Sequence, residues 1–219
     1  MRIALAEDSA LLRAGLTELL TSRGHEVGIA VDNAADLLAA LDGVDDDALP
    51  DVVVLDNRMP PTFTNEGIRA ALSLRGSHPR IGVLVLSQYV ETRYAAELLA
   101  GSPAGVGYLL KDRVADVRDF LDALARLARG ETVLDPEVVQ QLVGASRHRS
   151  DLDRLTARER EVLELMAQGR TNTAVGSTLF LSAGAVEKNI TSIFAKLGLQ
   201  QSPADHRRVL AVLAYLQSA

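Results

Sequence analysis

Four short aliphatic runs, at residues 3–6, 52–55, 81–86 and 106–110, each stop at a charged or polar residue, and this pattern restricts the available folds more than any other. The runs are too short for buried helices and rich in β-branched residues, which marks strands covered on both faces. Helix-period segments separate them, at 10–22, 33–41, 66–75, 91–100 and 113–129, and a more polar fifth strand fits 26–31. Strands alternating with helices of this length pair in parallel through right-handed crossovers. The expected fold is therefore α/β, a doubly wound five-stranded parallel sheet. In such sheets functional groups gather beyond the carboxyl ends of the strands. Glu7, Asp8, Asp56, Ser87 and Lys111 all fall at those ends and should converge on one edge.

The chain of 219 residues is long enough for a second domain, and its charge is divided accordingly. Residues 1–146 carry 13 Lys and Arg against 22 Asp and Glu, a net of −9, whereas residues 147–219 carry 10 against 7, a net of +3. An acidic first part and a mildly basic second part imply separate partners. The absence of cysteine excludes disulfides, thiol nucleophiles and thiolate metal sites. With no N-terminal signal pattern and no apolar run of about 18 residues, a soluble, cytoplasmic protein without a membrane partner is expected.

Three carboxylates at one site repel one another unless a cation lies among them, and hard oxygen donors of this kind suit Mg²⁺. Lys111 can give a positive charge to phosphoryl oxygens, and Ser87 can donate a hydrogen bond to one of them. Asp56 stands alone after its strand, which makes it the best-placed nucleophile for forming an acyl phosphate. Singly, each residue has an ordinary role: Asp8 or Ser9 as a helix cap, Asp56 as a loop aspartate, Lys111 as a solvated lysine. Together, on one edge and with complementary charges, they describe a phosphoryl site.

The order Glu7-Asp8, Asp56-Asn57-Arg58-Met59-Pro60, Ser87 and Gly107-Tyr108-Leu109-Leu110-Lys111-Asp112 resembles the receiver domain of two-component response regulators. The resemblance covers roughly residues 1–130. It implies that Asp56 is the phosphoacceptor, Asp8 a direct Mg²⁺ ligand and Glu7 a ligand through water, with the backbone carbonyl of Arg58 completing the protein's share. It also makes Ser87 and Tyr108 a switch pair and Lys111 the phosphoryl-binding cation. In that scheme Ser87 is drawn inward on phosphorylation and frees space into which the Tyr108 ring turns. The stretch 60–67 is longer than the usual loop after Met-Pro.

Beyond Gly130 the pattern changes. Asp135-Pro136 reads as an N-cap followed by proline at the first helical position, opening a helix to about Val143. Residues 144–153 look like a linker, with Arg147-His148-Arg149 solvated. The expected division is a receiver at 1–130, a linker with a short helix at 131–150, and a DNA-binding domain at 151–219. Thr156 to Glu159 has capping-box spacing, Thr171 caps a helix over 172–179, and Ser182 caps another after a turn at Phe180-Leu181. In that last helix Val186, Ile190, Ile193, Phe194 and Leu197 recur at helical spacing. Lys188, Thr191 and Ala195 lie opposite, flanked by Glu187, Ser192 and Lys196. Two short helices, a tight turn and a polar outer face make a helix-turn-helix.

The runs Leu155 to Leu163 and Leu181 to Gly198 resemble the LuxR-type DNA-binding domain, and the whole chain is similar to NarL/FixJ-class response regulators. That resemblance makes residues 183–197 the recognition helix. Glu187, Lys188 and Thr191 are then the candidates for base edges, and Thr171, Asn172, Thr173, Ser182 and Lys196 for phosphates. A final helix at 204–216, apolar at Val209, Leu213 and Leu216 among others, becomes the dimerisation element. Gly176, Gly184 and Asn189 depart from the usual family residues.

The expected function is a phosphorylation-controlled transcription regulator that takes a phosphoryl group from a sensor histidine kinase and binds double-stranded promoter DNA as a homodimer. It has no enzymatic role beyond its own phosphorylation and dephosphorylation. Two alternatives are a regulator that binds DNA without phosphorylation and uses the receiver for protein contacts, and a Mg²⁺-dependent aspartyl phosphatase. The phosphatase reading fails where the haloacid dehalogenase type needs a second aspartate two residues after the nucleophile, because that position is Arg58.

Overall fold

The computed structural model describes residues 1–45, 47–100, 103–200 and 206–216, with backbone alone for 145–150. The chain divides into two compact units, Met1–Leu142 and Val143–Ala219. In the first, β1 (Arg2–Ala6), β2 (Glu26–Val31), β3 (Val52–Asp56), β4 (Gly82–Ser87), β5 (Val106–Leu110) and β6 (Val133–Leu134) form one parallel sheet, ordered β2-β1-β3-β4-β5-β6. Helices α1 (Ala10–Ser22), α2 (Ala34–Leu41), α3 (Glu66–Ser77), α4 (Thr92–Leu99) and α5 (Val117–Ala128) cover it.

The side-chain alternation of the strands divides the core between two faces. Ile3, Leu5, Val52, Val54, Leu84 and Leu86 pack with Leu16 and Leu20 of α1 and Phe120 and Leu124 of α5. Their chain neighbours Ala4, Ala6, Val53, Leu55, Val83 and Val85 pack on the other face with residues of α2, α3 and α4, including Leu37, Ile68 and Leu98. Both faces are covered, so β3, β4 and β5 are buried at every position, and each large aliphatic contributes about 1.5–3 kcal/mol. β2 is an edge strand, alternately exposed and half-buried, which explains its more polar sequence.

Three elements differ from expectation, β6, α5 and the helix that follows them. The sheet has a sixth strand, because Val133 and Leu134 pair with Gly107 and Tyr108 of β5. The helix expected over 113–129 is broken: a 3-10 turn, Lys111–Ala115, precedes α5, and Asp116 caps α5 by accepting from the amides of Arg118 and Asp119. An aspartate at that position satisfies the free amides of a new helix better than it would sit inside an old one.

α6 (Pro136–Asp153) is longer than predicted and runs through the segment expected as a linker. Nothing in 144–153 forbids a helix: there is no proline, and its one glycine costs about 1 kcal/mol. Val138 belongs to the core of the first unit and Leu152 to that of the second. The side chains of Arg147, His148 and Arg149 lie outside the described residues.

The second unit holds α7 (Ala157–Ala167), α8 (Asn172–Leu179), α9 (Ala183–Lys196) and α10 (Arg207–Leu216). Val162, Leu163, Met166, Val175, Val186, Ile190, Ile193 and Ala211 form its core. The full capping box is present at Thr156 and Glu159, while Thr171 and Ser182 cap α8 and α9. Between these two helices Phe180 adopts φ +55°, and the amide of Leu181 returns to the Gly176 carbonyl at 2.9 Å. A Cβ on Gly176 would lie 2.9 Å from the Leu181 carbonyl oxygen, so the tightness of this turn explains the glycine. Residues 204 and 205, assigned by sequence to the last helix, lie outside the described residues. Among the described residues no helix is long and apolar enough to cross a membrane.

Candidate functional site

In the sheet order, β2 lies on one side of β1 and β3 on the other, so the strand order reverses at β1. Glu7 follows β1, Asp56 ends β3 and Lys111 follows β5, and they meet at that crevice. The Lys111 Nζ lies 3.0 Å from Asp56 Oδ2 and 3.0 and 3.1 Å from the two Glu7 carboxylate oxygens. Carboxylate oxygens of Glu7, Asp8 and Asp56 lie within 4.8 Å of one another. Glu7 and Asp56 are buried, while Asp8 reaches solvent. Burial, and next the negative charge of Glu7, push the Asp56 carboxyl up to about 6, although Lys111 and the Arg58 amide pull it down. Burial also works against the charge on Lys111, but hydrogen bonds from its ammonium to Glu7 and Asp56 outweigh it and raise the pKa. Three hard oxygen donors around one point can hold a divalent cation such as Mg²⁺. Arg58 follows in the loop, its amide 3.4 Å from Asp56 Oδ1.

Ser87 and Tyr108 meet at a main-chain group that the sequence does not reveal. The Ser87 hydroxyl donates to the Tyr89 carbonyl oxygen at 2.8 Å, and the Tyr108 hydroxyl donates to the same oxygen at 3.1 Å. The Tyr108 ring is fully buried. In this arrangement the ring lies inside, packed in the core with Ala95 and Leu98 of α4. Glu91 accepts from Asn57 at 3.1 Å and from the Arg58 guanidinium at 3.0 Å, and that guanidinium lies over the Tyr89 ring, 5.7 Å from its centroid. These contacts tie the loop after β3 to the loop after β4.

The long stretch after Met59 is ordered around another residue the sequence did not single out. Glu66 is buried and accepts from the amides of Thr62 and Thr64 and from the Thr62 hydroxyl. Burial would raise its pKa, but the Thr62 hydroxyl and these amides lower it. Next to it, Gly67 brings the start of α3 against the end of β3, its amide donating to the Asn57 carbonyl at 3.0 Å. The loops after β3 and β4 thus hold the surroundings of Asp56 through backbone contacts as well as charge.

In the second unit Glu187, Lys188 and Thr191 are exposed along α9, and Thr171, Asn172, Thr173 and Ser182 are exposed at the starts of α8 and α9. Asn172 accepts from Arg208 of α10 at 2.7 Å. Lys196 is half-buried and paired with Glu159 at 2.6 Å, and the same glutamate accepts from Ser192 at 2.6 Å. Glu159 thus serves as both the capping residue of α7 and the anchor of α9, and only its capping role is legible from spacing. On α10, Val209, Leu213 and Leu216 are exposed along one face.

The family model described as "Response regulator receiver domain" matches residues 3–124, and that described as "Bacterial regulatory proteins, luxR family" matches residues 153–213. The oxygen regulatory protein NreC of Staphylococcus carnosus is 32% identical over 213 residues, 93% of this chain and 94% of that protein. NreC of Staphylococcus aureus strain JH9 is 31% identical over 212 residues, with the same coverage. Among solved structures, RcsB of Salmonella typhimurium superposes with a TM-score of 0.69 at 23% identity, over 99% of this chain and 98% of that one. The RcsB response regulator in complex with DNA gives 0.60 at 24%, over 100% and 98%. With the acid–lysine crevice in its first unit and the helix-turn-helix in its second, the chain belongs to the NarL/FixJ-type response regulators, phosphorylation-controlled transcription regulators that join a receiver to a LuxR-type DNA-binding domain.

Proposed function

We propose that Asp56 is the phosphoacceptor of a cytoplasmic regulator supplied by a sensor histidine kinase. The observation that carries this reading is the Lys111 ammonium 3.0 Å from both Asp56 and Glu7 at the reversal of strand order. An Asp56 oxygen attacks phosphorus, the phosphorus–nitrogen bond of the donor phosphohistidine breaks, and the imidazole nitrogen keeps the electron pair and takes a proton. Lys111 compensates the charge of the phosphoryl oxygens, and Ser87 is free to exchange its Tyr89 bond for one of them. Glu7, Asp8, Asp56 and the Arg58 carbonyl would hold Mg²⁺, which when bound neutralises charge on the carboxylates and phosphoryl group. The Ser87–Tyr108 pair then serves as the switch, because a change at Ser87 alters what the Tyr89 carbonyl accepts.

The test is intact mass after treatment with acetyl phosphate and Mg²⁺. Wild type is expected to gain one phosphoryl group and Asp56→Asn none. Equal labelling of the two proteins overturns the assignment. Full affinity of Asp56→Asn for a selected DNA site would instead favour binding independent of phosphorylation.

The output reading places α9 in the major groove, with Glu187, Lys188 and Thr191 at base edges and Thr171, Asn172, Thr173, Ser182 and Lys196 on phosphates. Val209, Leu213 and Leu216 form the dimer face, and pairing links two DNA contacts into one binding event. Leu213→Asp is expected to leave the monomer folded, since Leu213 is 46% exposed. It should abolish dimerisation and weaken binding to a two-half-site DNA at least about tenfold. Sedimentation and gel-shift titration check both, and a dimer of wild-type affinity would refute the assignment.

A further inference from the structure

We infer that Asp135 is a positioning residue for Lys111, and that the Arg113–Asp135 pair joins the phosphoryl site to the start of α6. The inference rests on the reading that Lys111 binds the phosphoryl group. A helix cap needs only one side-chain bond, and Asp135 makes it by accepting from the Glu137 amide at 3.0 Å. Serine or asparagine would serve equally there. Asp135 is nevertheless fully buried and carries further contacts that no cap requires. Its carboxylate accepts from Arg113 Nε at 2.9 Å, from Arg113 Nη2 at 3.3 Å and from the Leu110 amide at 3.4 Å. Its own amide donates to the Tyr108 carbonyl at 2.8 Å.

These partners bracket Lys111. Leu110 precedes it, Arg113 lies two residues after it in the same 3-10 turn, and Tyr108 is the proposed switch residue on the same strand. One buried carboxylate therefore holds both flanks of the residue that places the ammonium over Asp56. The same carboxylate caps α6, whose Val138 packs in the core that contains Tyr108. A shift of the Lys111 turn toward a phosphoryl group must either carry Asp135 with it or break the fork to Arg113. In both cases the first turn of α6 registers the event. The Arg113 side chain, half exposed, is the part of the pair that can be released to water.

The test uses the full chain with acetyl phosphate and Mg²⁺, comparing wild type with Asp135→Asn, Arg113→Ala and Arg113→Lys. Phosphorylation is followed by intact mass, and amide hydrogen exchange is followed at residues 137–142. Wild type should show a phosphorylation-dependent change in exchange there. Asp135→Asn and Arg113→Ala should lose that change and take up phosphoryl groups about tenfold more slowly, because the ammonium is no longer held in place. Arg113→Lys keeps the charge but not the fork and should recover part of both. A purely structural role would lower stability without removing the exchange response. If Asp135→Asn does not fold, Arg113→Ala, altered at the exposed partner, decides the outcome. Wild-type rates together with a wild-type exchange response in the folded variants overturn the coupling. Failure of wild type to take any label overturns the reading of Asp56 itself, and the coupling with it.

Discussion

Gly67→Ala is expected to cost the first unit about 4 kcal/mol and to lower its thermal midpoint by roughly 10 °C. A Cβ at this position would lie 2.0 Å from the Asp56 carbonyl oxygen, 2.8 Å from its carbon and 2.9 Å from the Asn57 Cα. All three atoms are backbone, so no flexible side chain can yield. Either α3 must withdraw, which unpacks the buried Ile68, Ala71 and Leu74, or the end of β3 must move and take Asp56 with it. Labelling by acetyl phosphate should therefore fall along with stability. Gly15→Ala is the control, because α1 leaves open space there and alanine is the better helix former by about 0.5–1 kcal/mol. A Gly67→Ala midpoint equal to wild type would show that the approach of α3 to β3 is not as close as described.

Glu159→Gln is expected to destabilise the second unit by about 2 kcal/mol at pH 7, with the loss disappearing in acid. Burial would raise this carboxyl, but bonds from Lys196, Ser192 and the Thr156 amide pull it down to about 2. A carboxyl depressed from 4.5 in the unfolded chain contributes stability that is fully present above that value and is lost as pH falls toward 2. The full shift would correspond to about 3 kcal/mol, and screening of the quarter-exposed Lys196 reduces it. Denaturant unfolding from pH 7 to 2.5 should show wild type and variant converging. A constant gap across that range would assign the effect to packing rather than to charge.

The strands were legible because burial on both faces leaves an aliphatic signature, and the meeting of Glu7, Asp56 and Lys111 was legible because parallel topology places successive strand ends together. β6 was not, since two residues carry no period and its pairing with β5 is purely tertiary. The break before α5 leaves no local mark, because Asp116 also suits an exposed helix position, and only its bonds to Arg118 and Asp119 identify a cap. The Arg113–Asp135 pair spans 22 residues and crosses from a turn to a helix start. No local pattern reports it. The spacing of Glu159 reveals the cap and not the anchor of Lys196, because one carboxylate can serve two elements without leaving two marks in the sequence.

The junction between Ser87 and Tyr108 is a carbonyl oxygen, and that choice of atom has a consequence for variation. Any amino acid at position 89 supplies the same oxygen, so the link places almost no demand on the side chain there. The Tyr89 ring is 57% exposed and lies beside Arg58, which follows Asp56 in the loop after β3. A lineage can therefore change the side chain beside Arg58 while leaving intact the junction at which the Ser87 and Tyr108 hydroxyls meet.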